Sequence, residues 1–201
     1  NRVQEFFADQ MGIPISEGSI YNFNMEAYQK LKTFEAITKK NLIDAPLLHV
    51  DETGINIDGT GHWLHCATNA SWTHFFAHKK RGNEATNSDG ILPVFKGVLC
   101  HDHWKPYYCY SDCLHALCNA HHLRELTRSC EQDNQAWAKS MQDFLERCNR
   151  AVHEANGKLS SKDSKKYWQE YRTILKAAEI ECPPPDEKDR QGKRGRLKRS
   201  K

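Results

Sequence analysis

No uninterrupted apolar run in the 201 residues approaches the roughly 18 that a membrane-spanning helix needs. The opening stretch, Asn1 to Phe7, lacks the charged-then-apolar layout of a secretory signal. An Asn rather than a Met in first place points to a true start further upstream. The extremes of composition that mark a disordered polymer are missing too, with 38% hydrophobic and 27% charged residues, enough to bury a proper core. Nor does one sign of charge dominate the body of the chain. The net charge is +3, but residues 186–201 hold eight Lys/Arg against three Asp/Glu, which leaves −2 for residues 1–185. Only the tail is basic.

Eight cysteines in a small secreted chain would signal disulfides. Here they come without an export signal and among eleven histidines, which predicts reduced thiols in a cytoplasmic protein, with a metal site as the rival reading.

Four zones follow along the chain. Residues 1–43 read as an N-terminal helical segment. It comprises a helix carrying Val3, Phe6, Phe7 and Met11, a turn at Gly12-Ile13-Pro14, a short helix near Ser19 to Phe23, and an amphipathic helix with Met25, Tyr28, Leu31, Phe34 and Ile37 or Thr38 on one face. Such a stripe predicts core or coiled-coil contact.

Residues 44–130 change period. Leu47 to Asp51, Trp63 to Ala67 and Thr73 to Ala77 are strand-like and separated by turn signals at Asp58-Gly59 and Asn69-Ala70-Ser71, a three-stranded meander. A helical stretch from Asn83 to Leu92, a strand at Gly97 to Cys100, the aromatic segment Trp104 to Tyr110 and a strand at His115 to Cys118 come next. Asn119 then caps a helix. That order predicts an α/β fold with a mixed sheet. Residues 131–182 read as a helical hairpin broken at Asn156-Gly157, and residues 183–201 as a basic linker.

Asp51 and Asp102 each follow an apolar strand-like run. A carboxylate at the end of a buried strand costs free energy unless something compensates it, and a hard divalent cation is one such partner. Two such acids from neighbouring strands fit two-metal phosphoryl transfer. The rival reading makes each a turn residue, since Asp51-Glu52-Thr53-Gly54 is turn-like. Cys109, Cys113, Cys118 and His121 offer a less favoured zinc set, because their spacings lack the tight pairs of a zinc ribbon. Trp104, Tyr107, Tyr108 and Tyr110 with Lys105 suit stacking on an unpaired base, or equally packing beneath the site. The tail suits either salt-sensitive phosphate binding or a solvated linker.

Three motifs occur in order: Leu48-His49-Val50-Asp51-Glu52-Thr53-Gly54, His101-Asp102-His103-Trp104-Lys105-Pro106-Tyr107-Tyr108, and Cys118-Asn119-Ala120-His121-His122-Leu123-Arg124-Glu125-Leu126. Together they resemble the catalytic domain of Insertion Sequence 66 family transposases, over roughly the whole chain. The resemblance implies an RNase H-like mixed sheet with flanking helices and an α-helical insertion at residues 131–182. It implies metal-dependent (Mg²⁺ or Mn²⁺) cleavage and rejoining of DNA by acids matching Asp51 and Asp102, and a bacterial, nucleoid-associated setting. The implied partner is double-stranded DNA at transposon ends, bound by a homo-oligomer. Lys105, Tyr107, Tyr108 and His121 become candidate DNA contacts. No stretch matches the family's third motif, which bears a Glu. The expectation is a chain that stops short of that acid, with Glu125 as a weak internal substitute. A catalytically inactive DNA-binding remnant and a zinc-stabilised nucleic-acid-binding module remain the alternatives.

Overall fold

The computed structural model describes residues 2–183; the basic segment 186–201 lies outside the described residues. Its contacts divide the chain into two compact units, with the boundary between Ala116 and Leu117.

The first unit begins with α1 (Arg2–Met11) and α2 (Glu17–Ile43). Gly12, at φ +65°, ends the first helix, and the Ser16 hydroxyl caps the second by accepting from the Ser19 N–H at 3.0 Å. α2 runs unbroken through Gly18, so the short helix and the amphipathic helix expected separately are one. Tertiary contact at its far end outweighs the propensity cost of a single glycine. Thr38 and Leu42 are buried and Phe34 meets Trp72 at 5.8 Å, whereas Met25, Tyr28 and Leu31 of the expected stripe stay exposed.

A meander follows: β1 (Leu47–Ile57), β2 (Thr60–Thr68) and β3 (Thr73–His78), paired antiparallel. Asp58 and Gly59 both take positive φ, at 50° and 76°, as a two-residue hairpin turn of the primed kind requires. After α3 (Asn83–Asp89) the chain returns through β4 (Val98–His101), parallel to β1, and then β5 (Leu114–Leu117). The sheet order is β3-β2-β1-β4-β5, so β1 and β4 lie inside it. Leu48, Val50, Ala67, Ile91, Phe95, Leu99 and Tyr107 are the heart of this unit's core.

β1 is longer than the apolar run that announces it. The sequence reads as a strand ending at Asp51 and turning at Gly54; instead the strand continues to Ile57, because β2 supplies backbone partners along most of its length. Asp51 therefore sits in mid-strand with respect to β2. With respect to β4 it lies just past the pairing, which covers only Leu47 to His49.

The second unit is helical: α4 (Asn119–Asp133), α5 (Ala136–Glu154) and α6 (Ser161–Glu181). Cys118 rather than Asn119 occupies the cap of α4. Leu126, Ala138, Met141 and Phe144 are buried, with Trp137, Tyr167, Tyr171 and Ile174 packed on them. Asn156 and Gly157, at φ 53° and 92°, separate α5 from α6. The Glu181 carboxylate closes the hairpin by accepting from the first N–H groups of α5, Ala136 at 2.6 Å and Trp137 at 3.0 Å. No helix among the described residues is long and apolar enough to cross a membrane.

Candidate active site

β1 and β4 pair Leu47 with Val98, Leu48 with Leu99 and His49 with Cys100. Asp51 lies two residues beyond His49 and Asp102 two beyond Cys100, each just past the last pair of that ladder. Each carboxylate is steadied by a nearby amide. Asp51 Oδ1 accepts from the Glu52 N–H at 2.9 Å, and Asp102 Oδ1 from the Trp104 N–H at 2.8 Å. Among the described residues, the second oxygen of neither acid makes a hydrogen bond, and no Lys or Arg is paired with either.

The phenol of Tyr107 registers the cluster. Burial, then its hydrogen bond to Glu52, then the charges of Glu52, Asp102 and Asp51 push it far above the usual tyrosine range. It is therefore a donor at any ordinary pH. Cys66 faces Asp51 across the β1–β2 pair; burial and then the Asp51 charge push its thiol up, which keeps it from acting as a thiolate. Two unneutralised carboxylates with free oxygens and no soft thiolate beside them fit a hard divalent cation. A cavity of about 20 Å³ adjoins Asp51, lined by Val50, His65, Thr86, Asp89 and Tyr107 among others. His65 Nδ1 is buried without a hydrogen-bond partner among the described residues.

The sequence missed Glu52. Its side chain is only 1% exposed; Arg81 reaches Oε1 through Nε at 2.8 Å and through a terminal nitrogen at 2.7 Å, and the Tyr107 hydroxyl donates to Oε2. The Arg81 guanidinium lies 4.7 Å from the Trp63 ring centre and 4.4 Å from that of Trp104. No local spacing signals this set, because Glu52 and Arg81 stand 29 residues apart.

Of the other expected residues, Lys105 and Tyr108 are exposed on the turn after Asp102. Tyr107 is 2% exposed with its hydroxyl on Glu52, so its ring belongs to the core and is not open to a base, a correction of the expectation that it meets DNA. His101 and His103 part company: His103 is exposed, while His101 is fully buried, 2.9 Å from His115 through their ring nitrogens, and burial holds its imidazole below the usual range. His121 and Glu125 lie one turn apart on α4, in the second unit. The zinc candidates divide likewise. Cys109, which accepts from Asn83, and Cys113, which donates to the Tyr110 carbonyl, lie in the first unit; Cys118 and His121 lie in the second. All eight cysteines are free thiols in the structure.

Three antiparallel strands followed by a fourth parallel to the first, helices flanking, make an RNase H-like α/β fold. Residues 1–195 match the model of a family described as "Transposase IS66 family", and the chain belongs to that family. It is a DDE-type transposase chain. Among solved structures it is similar to the HTLV-2 integrase catalytic core domain in complex with magnesium, at 14% identity over 44% of this chain and 74% of that one, with a TM-score of 0.30. It is also similar to a simian T-cell lymphotropic virus intasome in complex with PP2A regulatory subunit B56 gamma, at 11% identity over 63% of this chain and 48% of that one, with a TM-score of 0.31. Likenesses so slight carry no part of the assignment, which rests on the family and the sheet order. No curated protein matches the chain.

Proposed function

We propose that Asp51 and Asp102 are two of the metal-binding acids with which this transposase cleaves and rejoins DNA phosphodiesters at transposon ends. The observation that supports the reading is their matching place, each two residues past the last β1–β4 pair, with both Oδ1 atoms held by backbone amides. Asp51 and Asp102 would hold the cation, Mg²⁺ or Mn²⁺, which would supply Lewis-acid stabilisation of charge on the phosphate oxygens. The chain's own part is placement. β1 and β4 carry the two acids at corresponding points just past their pairing, and the amide hydrogen bonds limit the rotation of each carboxylate, so little order remains to be gained when ligand arrives. Lys105 and Tyr108, exposed on the turn that follows Asp102, are placed to meet the DNA backbone or an unpaired base. The expected substrate is double-stranded DNA, worked on by an assembly of several copies in a bacterial cytoplasm.

Asp51→Asn and Asp102→Asn keep side-chain shape and remove charge. Each should abolish Mg²⁺- or Mn²⁺-dependent nicking of transposon-end DNA, a loss of at least about a thousandfold, while the circular-dichroism spectrum stays that of the parent. Nicking that survives either change overturns the assignment. Glu125→Gln in the same assay identifies the source of the third carboxylate: loss of nicking assigns it to α4, and full activity places it elsewhere. A parent chain that binds DNA but never cuts it is the inactive-remnant reading.

A further inference from the structure

We propose that Arg81 is a positioning residue, a strut that ties the segment carrying Asp51 to the segment carrying Asp102. The proposal rests on the reading of those two acids as metal ligands. The connections form a closed ring. Glu52, the neighbour of Asp51 on β1, receives both Arg81 contacts on one oxygen and the Tyr107 hydroxyl on the other. Arg81 lies against the Trp104 ring at 4.4 Å, and Trp104 meets Tyr107 edge-on at 5.5 Å. The Trp104 backbone N–H then holds Asp102 Oδ1. Trp63, on β2, lies 4.7 Å from the guanidinium and completes the slot.

The ring needs arginine. A planar guanidinium can present two N–H groups in its plane and still lie against indole faces, whereas a lysine ammonium is a compact charge that cannot do both. Glu52, although a carboxylate next to Asp51, is occupied on both oxygens and buried, so it serves as the anchor of the strut and not as a ligand. What the strut supplies is the position of the Asp102 carboxylate relative to Asp51. An outer partner of this kind typically changes metal affinity about 10–100-fold.

The test measures Mn²⁺ binding directly, by electron paramagnetic resonance of free Mn²⁺ and by titration calorimetry, on the full 201-residue chain. Four variants are compared with the parent: Asp51→Asn, Asp102→Asn, Arg81→Lys and the double variant Glu52→Gln with Arg81→Gln. The double variant leaves no buried uncompensated charge, so it keeps the test open if Arg81→Lys does not fold. Thermal unfolding is recorded for each. Expected is loss of binding in the two aspartate variants. In Arg81→Lys and the double variant, the dissociation constant rises about 10–100-fold, with DNA nicking restored by raised Mn²⁺. If the aspartate variants lose Mn²⁺ while both Arg81 variants bind as the parent does, the strut is wrong and the acid site stands. If the parent binds no Mn²⁺, or the aspartate variants bind it unchanged, the acid site itself is wrong and the strut falls with it.

Discussion

Asp89 shows how much one side chain can decide. It ends α3 and is met by His74 of β3 at 2.9 Å and by Lys39 of α2 at 3.0 Å, so it joins three elements at one nearly buried carboxylate. Burial alone would raise its pKa, but the hydrogen bonds and charges of His74 and Lys39 together outweigh it and hold the carboxyl below the usual carboxylate range. The sign of the linkage follows. A depressed folded pKa contributes stability that is fully present above the unfolded value, about 3.9, and is lost as pH falls through the folded one. Asp89→Asn should therefore lower the unfolding free energy at pH 7 by about 1–3 kcal/mol. The gap to the parent should close below about pH 4, as urea titrations at about pH 7, 5 and 3 would show. An equal gap at all three values would mean that packing, not charge, is what the substitution removes. None of this partnership is legible in the sequence, where Lys39, His74 and Asp89 share no spacing. Asp51 and Asp102, the proposed acids, stand out in the sequence because each follows an apolar run; Glu52 and Arg81 do not, because their pairing exists only once β1 and the segment after β3 have been folded together.

Elements were read more surely than their limits. The meander announced itself through apolar runs and the Asp58-Gly59 turn, and α5 and α6 through their apolar faces and the Asn156-Gly157 break. What escaped was extent. β1 passes through a turn-like Asp-Glu-Thr-Gly because β2 pairs with every residue from His49 to Ile57, and cross-strand pairing is invisible from one strand. Gly97 shows the same dependence on context. It stands just before β4, its carbonyl accepting from the Leu114 N–H at 3.0 Å. A Cβ there would lie 2.7 Å from the carbonyl oxygens of Ala45 and Pro46 and 2.8 Å from the Phe95 ring. These are mostly backbone atoms with nowhere to go, at the point where β1 and β4 begin side by side. Gly97→Ala should cost about 1–3 kcal/mol by forcing the starts of the two strands apart. Gly54→Ala is the control, since its Cβ would meet nothing within 4 Å, and should leave the denaturation midpoint unchanged or raise it slightly. Equal midpoints for the two variants would show that β1 and β4 yield at this point without cost.

For the molecule as a whole, the distribution of charge bears on how it meets DNA. Carboxylates such as the proposed Asp51 and Asp102 pair repel phosphate until cations intervene, and the chain up to residue 185 carries a net −2. The compensating charge lies in residues 186–201, at net +5. If that segment is what first draws in DNA, affinity and chemistry are separable: the acids act on a phosphate that the tail has helped to deliver. Each phosphate contact releases counterions, with a slope of log affinity against log salt of about −0.9 per contact on duplex DNA, so engagement of all eight tail cations would steepen the slope by about 7. A chain ending at Pro185 should then bind duplexes of any sequence more weakly at low salt and show a shallower slope. Asp51→Asn and Asp102→Asn should leave the slope as it is, or bind slightly tighter through the charge removed. Fluorescence anisotropy on an end sequence and on an unrelated duplex, between about 50 and 300 mM salt, measures both quantities. A slope unchanged by removing the tail would make residues 186–201 a solvated linker and return the work of capturing DNA to exposed groups beside the site, Lys105 first among them.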